Sequence, residues 1–246
     1  MGIHKILPLQ TLMMYGAIAI GVVACAPENV KRHSEVTAED CERFPTRGCV
    51  THAYIEPGEV TKDTESTAEG GRYVFRAEKT FKTLRYNMTY DFTVDIYPDE
   101  KARWDIPRGL ITQIFPLCSG FGCANAGELP VLSINHGGEN DLTILLFAPC
   151  GDCEDETTLN LVAGERVGGR IFRLGEWNRF DYKIRLSQID GIFRLSINGR
   201  EVINYTGPFG AQGEKALFKI GVYDPANSKT TAERKKEGPF SMYIDF

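Results

Sequence analysis

The chain has 246 residues, 42% of them apolar and 25% charged, with a formal net charge of −5. That length supplies a sizeable core for one large domain or two small ones, and the composition is that of an ordinary globular protein. The mild negative charge lacks the basic footprint of a nucleic-acid binder, so no nucleic-acid partner is expected, and an anionic ligand would need a local basic patch.

The first 25 residues, MGIHKILPLQTLMMYGAIAIGVVAC, open on His4 and Lys5, run through an apolar stretch and close on small residues before Cys25. This is the layout of a signal peptide. Val22-Val23-Ala24-Cys25 resembles a bacterial lipobox, which implies removal of residues 1–24 and lipidation of Cys25. The chain is then expected to be exported and held to the bacterial envelope by a lipid anchor, or otherwise secreted. A transmembrane anchor or a plain cleaved signal are the competing readings, although the apolar stretch is short for a span and is broken by Pro8, Gln10 and Thr11.

Besides Cys25, the cysteines Cys41, Cys49, Cys118, Cys123, Cys150 and Cys153 fall in three sequence-local pairs. In an oxidising compartment, pairing 41–49, 118–123 and 150–153 is the simplest arrangement, each bond closing a small loop. Cys150-Gly-Asp-Cys153 also has CxxC spacing, but no second CxxC and no nearby histidine pair completes a zinc set, so no metal is assigned there. The acidic run GDCEDET at 151–157 is either a structural calcium site or a solvated loop. No other cofactor is expected.

Residues 25–70 are polar, carry Pro27, Pro45 and Pro57, and show no sustained periodicity, which reads as a tether partly tied down by Cys41 and Cys49. From residue 71 to 246 the pattern changes to strands. In YDFTVDIYP, Tyr90, Phe92, Val94 and Ile96 alternate with polar neighbours. In FDYKIRLS, Phe180, Tyr182, Ile184 and Leu186 do the same. Asn198-Gly199 in FRLSINGREVINY is a two-residue hairpin turn, and FSMYIDF reads as a closing strand. Many short antiparallel strands predict an all-β, two-sheet sandwich or jelly roll.

In LFKIGVYDP, the apolar Phe218, Ile220 and Val222 alternate with Lys219, Gly221 and Tyr223. Together with GEWNRFDYKIRLSQIDGIFRLSINGREVINYTGPFG upstream, this stretch resembles the heparin-lyase-like and alginate-lyase-like polysaccharide lyases. The resemblance covers residues 71–246 and is most specific at Phe218-Lys219-Ile220-Gly221-Val222-Tyr223. It implies a concanavalin-like β-jelly roll whose curved sheet holds a glycan, and cleavage of a uronic-acid polymer by β-elimination. Such chemistry needs the C5 carboxylate neutralised, a base for the C5 proton and an acid for the leaving oxygen.

By that resemblance Tyr223 is the acid or base. Its ordinary pKa of about 10 calls for nearby positive charge, which Lys219 would supply. Lys219 and Tyr223 lie about 13 Å apart on one strand face, and Gly221 between them would leave room for a sugar. Gln113 in GLITQIF would neutralise the substrate carboxylate, sharing a face with Ile111 and Phe115 while Leu110, Thr112 and Ile114 share the other. Arg76-Ala77-Glu78 matches the family's Arg-x-Glu and would place Arg76 toward the substrate acid, with Arg72 and Arg85 as alternatives. The sequence departs from the family at Phe115, which stands where a histidine is expected. His136 in SINHGG is either a second groove histidine or a surface turn residue. Phe115 also fits a non-catalytic, lectin-like glycan binder on the same fold; a structural envelope lipoprotein is a third reading, with no feature of the sequence in its favour. A monomer with an anionic polysaccharide partner is expected.

Overall fold

The computed structural model describes residues 30–32, 37–55, 60–63, 72–102, 104, 109–117, 130–136, 141–149, 159–168, 171–211, 215–224 and 239–246. Cys25 with its leader, Cys118, Cys123, Cys150, Cys153 and the acidic run 151–157 lie outside the described residues. Among the described residues, fifteen strands, β1 to β15 in chain order, form two sheets. The eight-stranded sheet runs β1 (Val30–Arg32), β4 (Val60–Asp63), β5 (Arg72–Arg85), β14 (Lys215–Asp224), β7 (Gly109–Leu117), β8 (Leu132–His136), β9 (Leu142–Pro149) and β10 (Leu159–Val167). The seven-stranded sheet runs β13 (Arg200–Phe209), β12 (Ser187–Ile197), β11 (Asn178–Arg185), β6 (Thr89–Pro98), β15 (Phe240–Asp245), β3 (Val50–Ile55) and β2 (Thr37–Asp40).

All pairings are antiparallel apart from β1 with β4. The chain passes between sheets at β5 to β6 to β7 and again at β13 to β14 to β15, the crossing connectivity of a jelly-roll sandwich.

The period-2 pattern explains the core. Val94 and Ile96 of β6, Phe180, Tyr182 and Ile184 of β11, and Phe218, Ile220 and Val222 of β14 are all buried between the sheets. Across that gap the Phe218 ring lies 5.0 Å from Phe92 and 5.1 Å from Tyr182. Each fully buried side chain of this size contributes about 1.5–3 kcal/mol of transfer free energy. The Asn198-Gly199 turn joins β12 to β13 with both residues at positive φ (52° and 77°), as a tight hairpin turn with the native strand twist requires.

The tether expected over residues 25–70 is corrected by β2 and β3, which complete one edge of the seven-stranded sheet. Ala53 and Ile55 enter the core while His52 and Tyr54 face outward, so β3 is an ordinary half-buried strand. A disulfide joins Cys41 to Cys49 between β2 and β3. The loop it closes lies on the outer face of the sheet. Phe44 packs among Tyr97, Trp177 and Tyr243 with centroids 4.9–5.2 Å apart, and Arg47 pairs with Asp95 and Asp245 at 2.6 and 2.9 Å.

Candidate functional site

The face of the eight-stranded sheet turned away from the core carries most of the residues singled out by the motifs. Opposed residues in an antiparallel ladder share a face, so the register assigns the site directly. Lys219 is opposite Gln113, Gly221 opposite Glu78, and Tyr223 opposite Arg76. Three adjacent strands, β5, β14 and β7, therefore bring Arg76, Glu78, Gln113, Phe115, Lys219 and Tyr223 together.

Their geometry is a compact network. Arg76 donates from Nε and Nη2 to Glu78 Oε2, each at 2.9 Å. Gln113 Nε2 donates to Glu78 Oε1 and Oε2 at 2.7 and 2.8 Å. The Glu78 carboxylate is thus neutralised by a cation and an amide at once, as a carboxylate this deeply buried requires. The Arg76 guanidinium lies 5.1 Å from the Tyr223 ring centroid, and the Lys219 ammonium 5.1 Å from that of Phe115. The cation beside the phenol is therefore Arg76, whereas Lys219 sits by Phe115. Lys219, Glu78 and Gln113 are buried (0%, 1% and 3% exposed), while Tyr223 stays partly exposed.

Gly221 has a different job from the one its motif suggested. A Cβ there would lie 2.1 Å from the Ala77 carbonyl oxygen and 2.5 Å from Glu78 Cα, and its φ is +152°. The missing side chain makes room for the β5 backbone, drawing Arg76 and Glu78 up to Tyr223, rather than for a sugar.

A bulge in β7 alters the expected faces. Thr112 is opposite Ile220 and Ile134, but Leu110 is opposite Tyr223 and Asn135, so Ile111 is an extra residue against β8, while two residues of β14, Gly221 and Val222, span it on the other side. Ile111 joins the core and Leu110 turns to the site face, so Ile111 does not share the face of Gln113 and Phe115. His136 does not reach this face. It is 1% exposed and packs edge-on against Trp104 and Phe172 at 5.0 and 6.1 Å, neither in the groove nor on a surface turn.

Ser133 and Asn135 were missed by the motifs. They continue the site face onto β8, linked by Asn135 Nδ2 donating to Ser133 Oγ at 3.1 Å, and their alternation with Leu132, Ile134 and His136 was the available signal. Among the described residues, no group of three or more His, Cys, Asp or Glu side chains is placed to hold a metal ion.

No family model matches the chain, and no curated protein matches it. Among solved structures it is similar to an alginate lyase, with a TM-score of 0.46 and 10% identity over 85% of this chain and 84% of that one. It is similar also to the laminarinase catalytic domain of Thermotoga maritima (TM-score 0.47, 10% identity, 88% and 80% covered). A Bacillus licheniformis β-glucanase matches at TM-score 0.46 and 10% identity over 88% and 83%. These likenesses concern the sandwich as a whole; the chemistry available at the site follows from this chain's own residues.

Proposed function

We propose that the chain binds a uronic-acid polysaccharide on the site face of the eight-stranded sheet and cleaves it by β-elimination. The observation that carries this reading is the half-exposed Tyr223 phenol held beside Arg76, itself fixed by Glu78 and Gln113. In the elimination the C5 proton is removed and the C4–O bond breaks. The C5–H electron pair becomes the C4=C5 double bond, and the departing oxygen takes up a proton. Tyr223 is the residue placed to move those protons. Arg76 faces the substrate carboxylate, and Glu78 and Gln113 act as positioning residues, since their polar atoms already meet one another. The test is near-ultraviolet absorbance of the unsaturated product from alginate, glucuronan, heparin-type and chondroitin-type polymers, read for the native chain and for Tyr223→Phe.

A second reading is glycan binding without cleavage. It is favoured by Phe115, a half-buried ring on the same face that the Lys219 ammonium approaches and that offers stacking but no proton. Under it Tyr223→Phe leaves binding intact, and Phe115→Ala weakens it. We also propose export with lipidation at Cys25. The Cys41–Cys49 bond suits an oxidising compartment, and loss of radiolabelled fatty acid from Cys25→Ser tests the anchor.

A further inference from the structure

Arg76 stands at one end of a line of residues that crosses six strands of the eight-stranded sheet. In register, Arg76 of β5 is opposite Tyr223 of β14, Tyr223 is opposite Leu110 of β7, and Leu110 is opposite Asn135 of β8. Asn135 is opposite Thr143 of β9, and Thr143 is opposite Arg166 of β10. Five strand spacings of about 4.8 Å put the two arginines about 24 Å apart across the site face. Each is fixed by an acid of the chain in the same manner. Asp141 Oδ2 accepts from Arg166 Nε and Nη2 at 3.0 and 2.5 Å, as Glu78 Oε2 does from Arg76. Arg76 is buried, whereas the Arg166 side chain is 74% exposed, and among the described residues nothing bonds its Nη1.

Among the described residues β10 is the last strand of its sheet, and β13 the last of the other. Where these edges approach, a cleft of about 370 Å³ is lined by Glu165, Arg166, Arg200 and Glu201, together with Val167 and Val202. Arg200 is exposed and takes part in no ion pair among the described residues. Guanidinium and carboxylate groups side by side suit an acidic sugar, whose carboxylate needs a cation and whose hydroxyls need acceptors. A 1,4-linked uronate residue advances by roughly one strand spacing, so a chain seated at Arg76 reaches Arg166 after about five residues. Asn135 and Thr143 offer polar groups on the way. We infer that this cleft is a distal subsite for the same polyuronate, with Arg166 and Arg200 taking the carboxylate of a sugar about five residues from the one at Tyr223. This rests on the polyuronate reading above and adds to it the direction and length of the bound chain.

The test measures binding of alginate and glucuronan oligomers to the full chain carrying Tyr223→Phe, which keeps them uncut. Oligomers of about eight residues span the line, and those of about three do not. The long oligomers of the bound polymer are expected to bind more tightly than the short ones. Arg166→Gln with Arg200→Gln is expected to weaken binding of the long ones by about two- to fivefold for each arginine, and to leave the short ones unchanged. Arg166→Lys with Arg200→Lys keeps both charges and is expected to restore part of that loss. Equal affinity for long and short oligomers overturns the inference and leaves the polyuronate reading standing. A long-oligomer affinity unmoved by the Gln pair, or an equal loss at both lengths, overturns it too. Binding of neither polymer at either length removes the polyuronate reading, and this inference with it.

Discussion

Gln113 donates through Nε2 to both carboxylate oxygens of Glu78, at 2.7 and 2.8 Å. The amide expected to meet a substrate carboxylate already meets one supplied by the protein. Arg76 is held by the same carboxylate, so one buried acid fixes the arginine of its own strand and ties β5 to β7 across β14.

Glu78 is thus the anchor of the site. Replacing it by Gln removes the charge that Glu78 sets against the buried Arg76, and breaking a buried pair costs about 3–5 kcal/mol. Urea unfolding of Glu78→Gln should show a loss of that order, and Arg76→Met combined with Glu78→Gln should lose less than the single change. A loss under about 1 kcal/mol for Glu78→Gln would mean that the network is not held together by this carboxylate.

Gly221 is the second structural requirement. Its φ of +152° and the overlap that a Cβ would make with the Ala77 carbonyl oxygen leave no place for a methyl group. Gly221→Ala should destabilise the fold by more than about 1 kcal/mol, with Tyr223 displaced from Arg76. An unfolding midpoint equal to that of the native chain contradicts this account of the glycine.

Stability should depend on pH through His52. The imidazole stacks on Tyr243 at 4.2 Å and shares a hydrogen bond with Ser241 Oγ at 2.9 Å. Burial holds it below its ordinary value of 6.5, with Asp40 and Asp99 opposing and Arg43 assisting. The unfolded chain therefore takes up a proton at higher pH than the folded one. This contribution is complete above the ordinary value and is lost as pH falls through the folded value. Unfolding midpoints should fall as pH is lowered from about 7.5 to about 5, and His52→Gln should flatten that slope. Parallel slopes in the two proteins would assign the dependence elsewhere.

The Cys41–Cys49 bond closes a short loop, and chain entropy predicts a loss of about 2–3 kcal/mol on its removal. Cys41→Ser with Cys49→Ser should lower the unfolding midpoint and alter Trp177 fluorescence, since Phe44 of that loop packs on Trp177 at 4.9 Å. Unchanged emission would show that the loop stays seated without its bond.

Strands whose two faces differ in polarity were legible from sequence. Phe180 to Leu186, the Asn198-Gly199 hairpin and Phe218 to Val222 fall where alternation put them, because each pattern is set by its own strand. Features set by a partner were not legible. The β7 bulge at Ile111 exists only in register with β8. His136 is buried by Trp104 and Phe172, both more than 30 residues away in sequence. The short β2, Thr37–Asp40, has no buried alternation to reveal it and is defined by pairing with β3. Within the site, the Arg-x-Glu spacing told that Arg76 and Glu78 share a face, but not that Gln113 would be spent on Glu78.

In the proposed β-elimination, Tyr223 moves the protons. The most direct measurement is near-ultraviolet absorbance as the native chain and Tyr223→Phe act on a panel of polyuronates, with binding to each polymer recorded in parallel. A rising absorbance is expected for the native chain on at least one polymer, and a rate at least about 100-fold lower for Tyr223→Phe with binding retained. Native-level product formation by Tyr223→Phe, or binding by the native chain with no unsaturated product from any polymer, contradicts it.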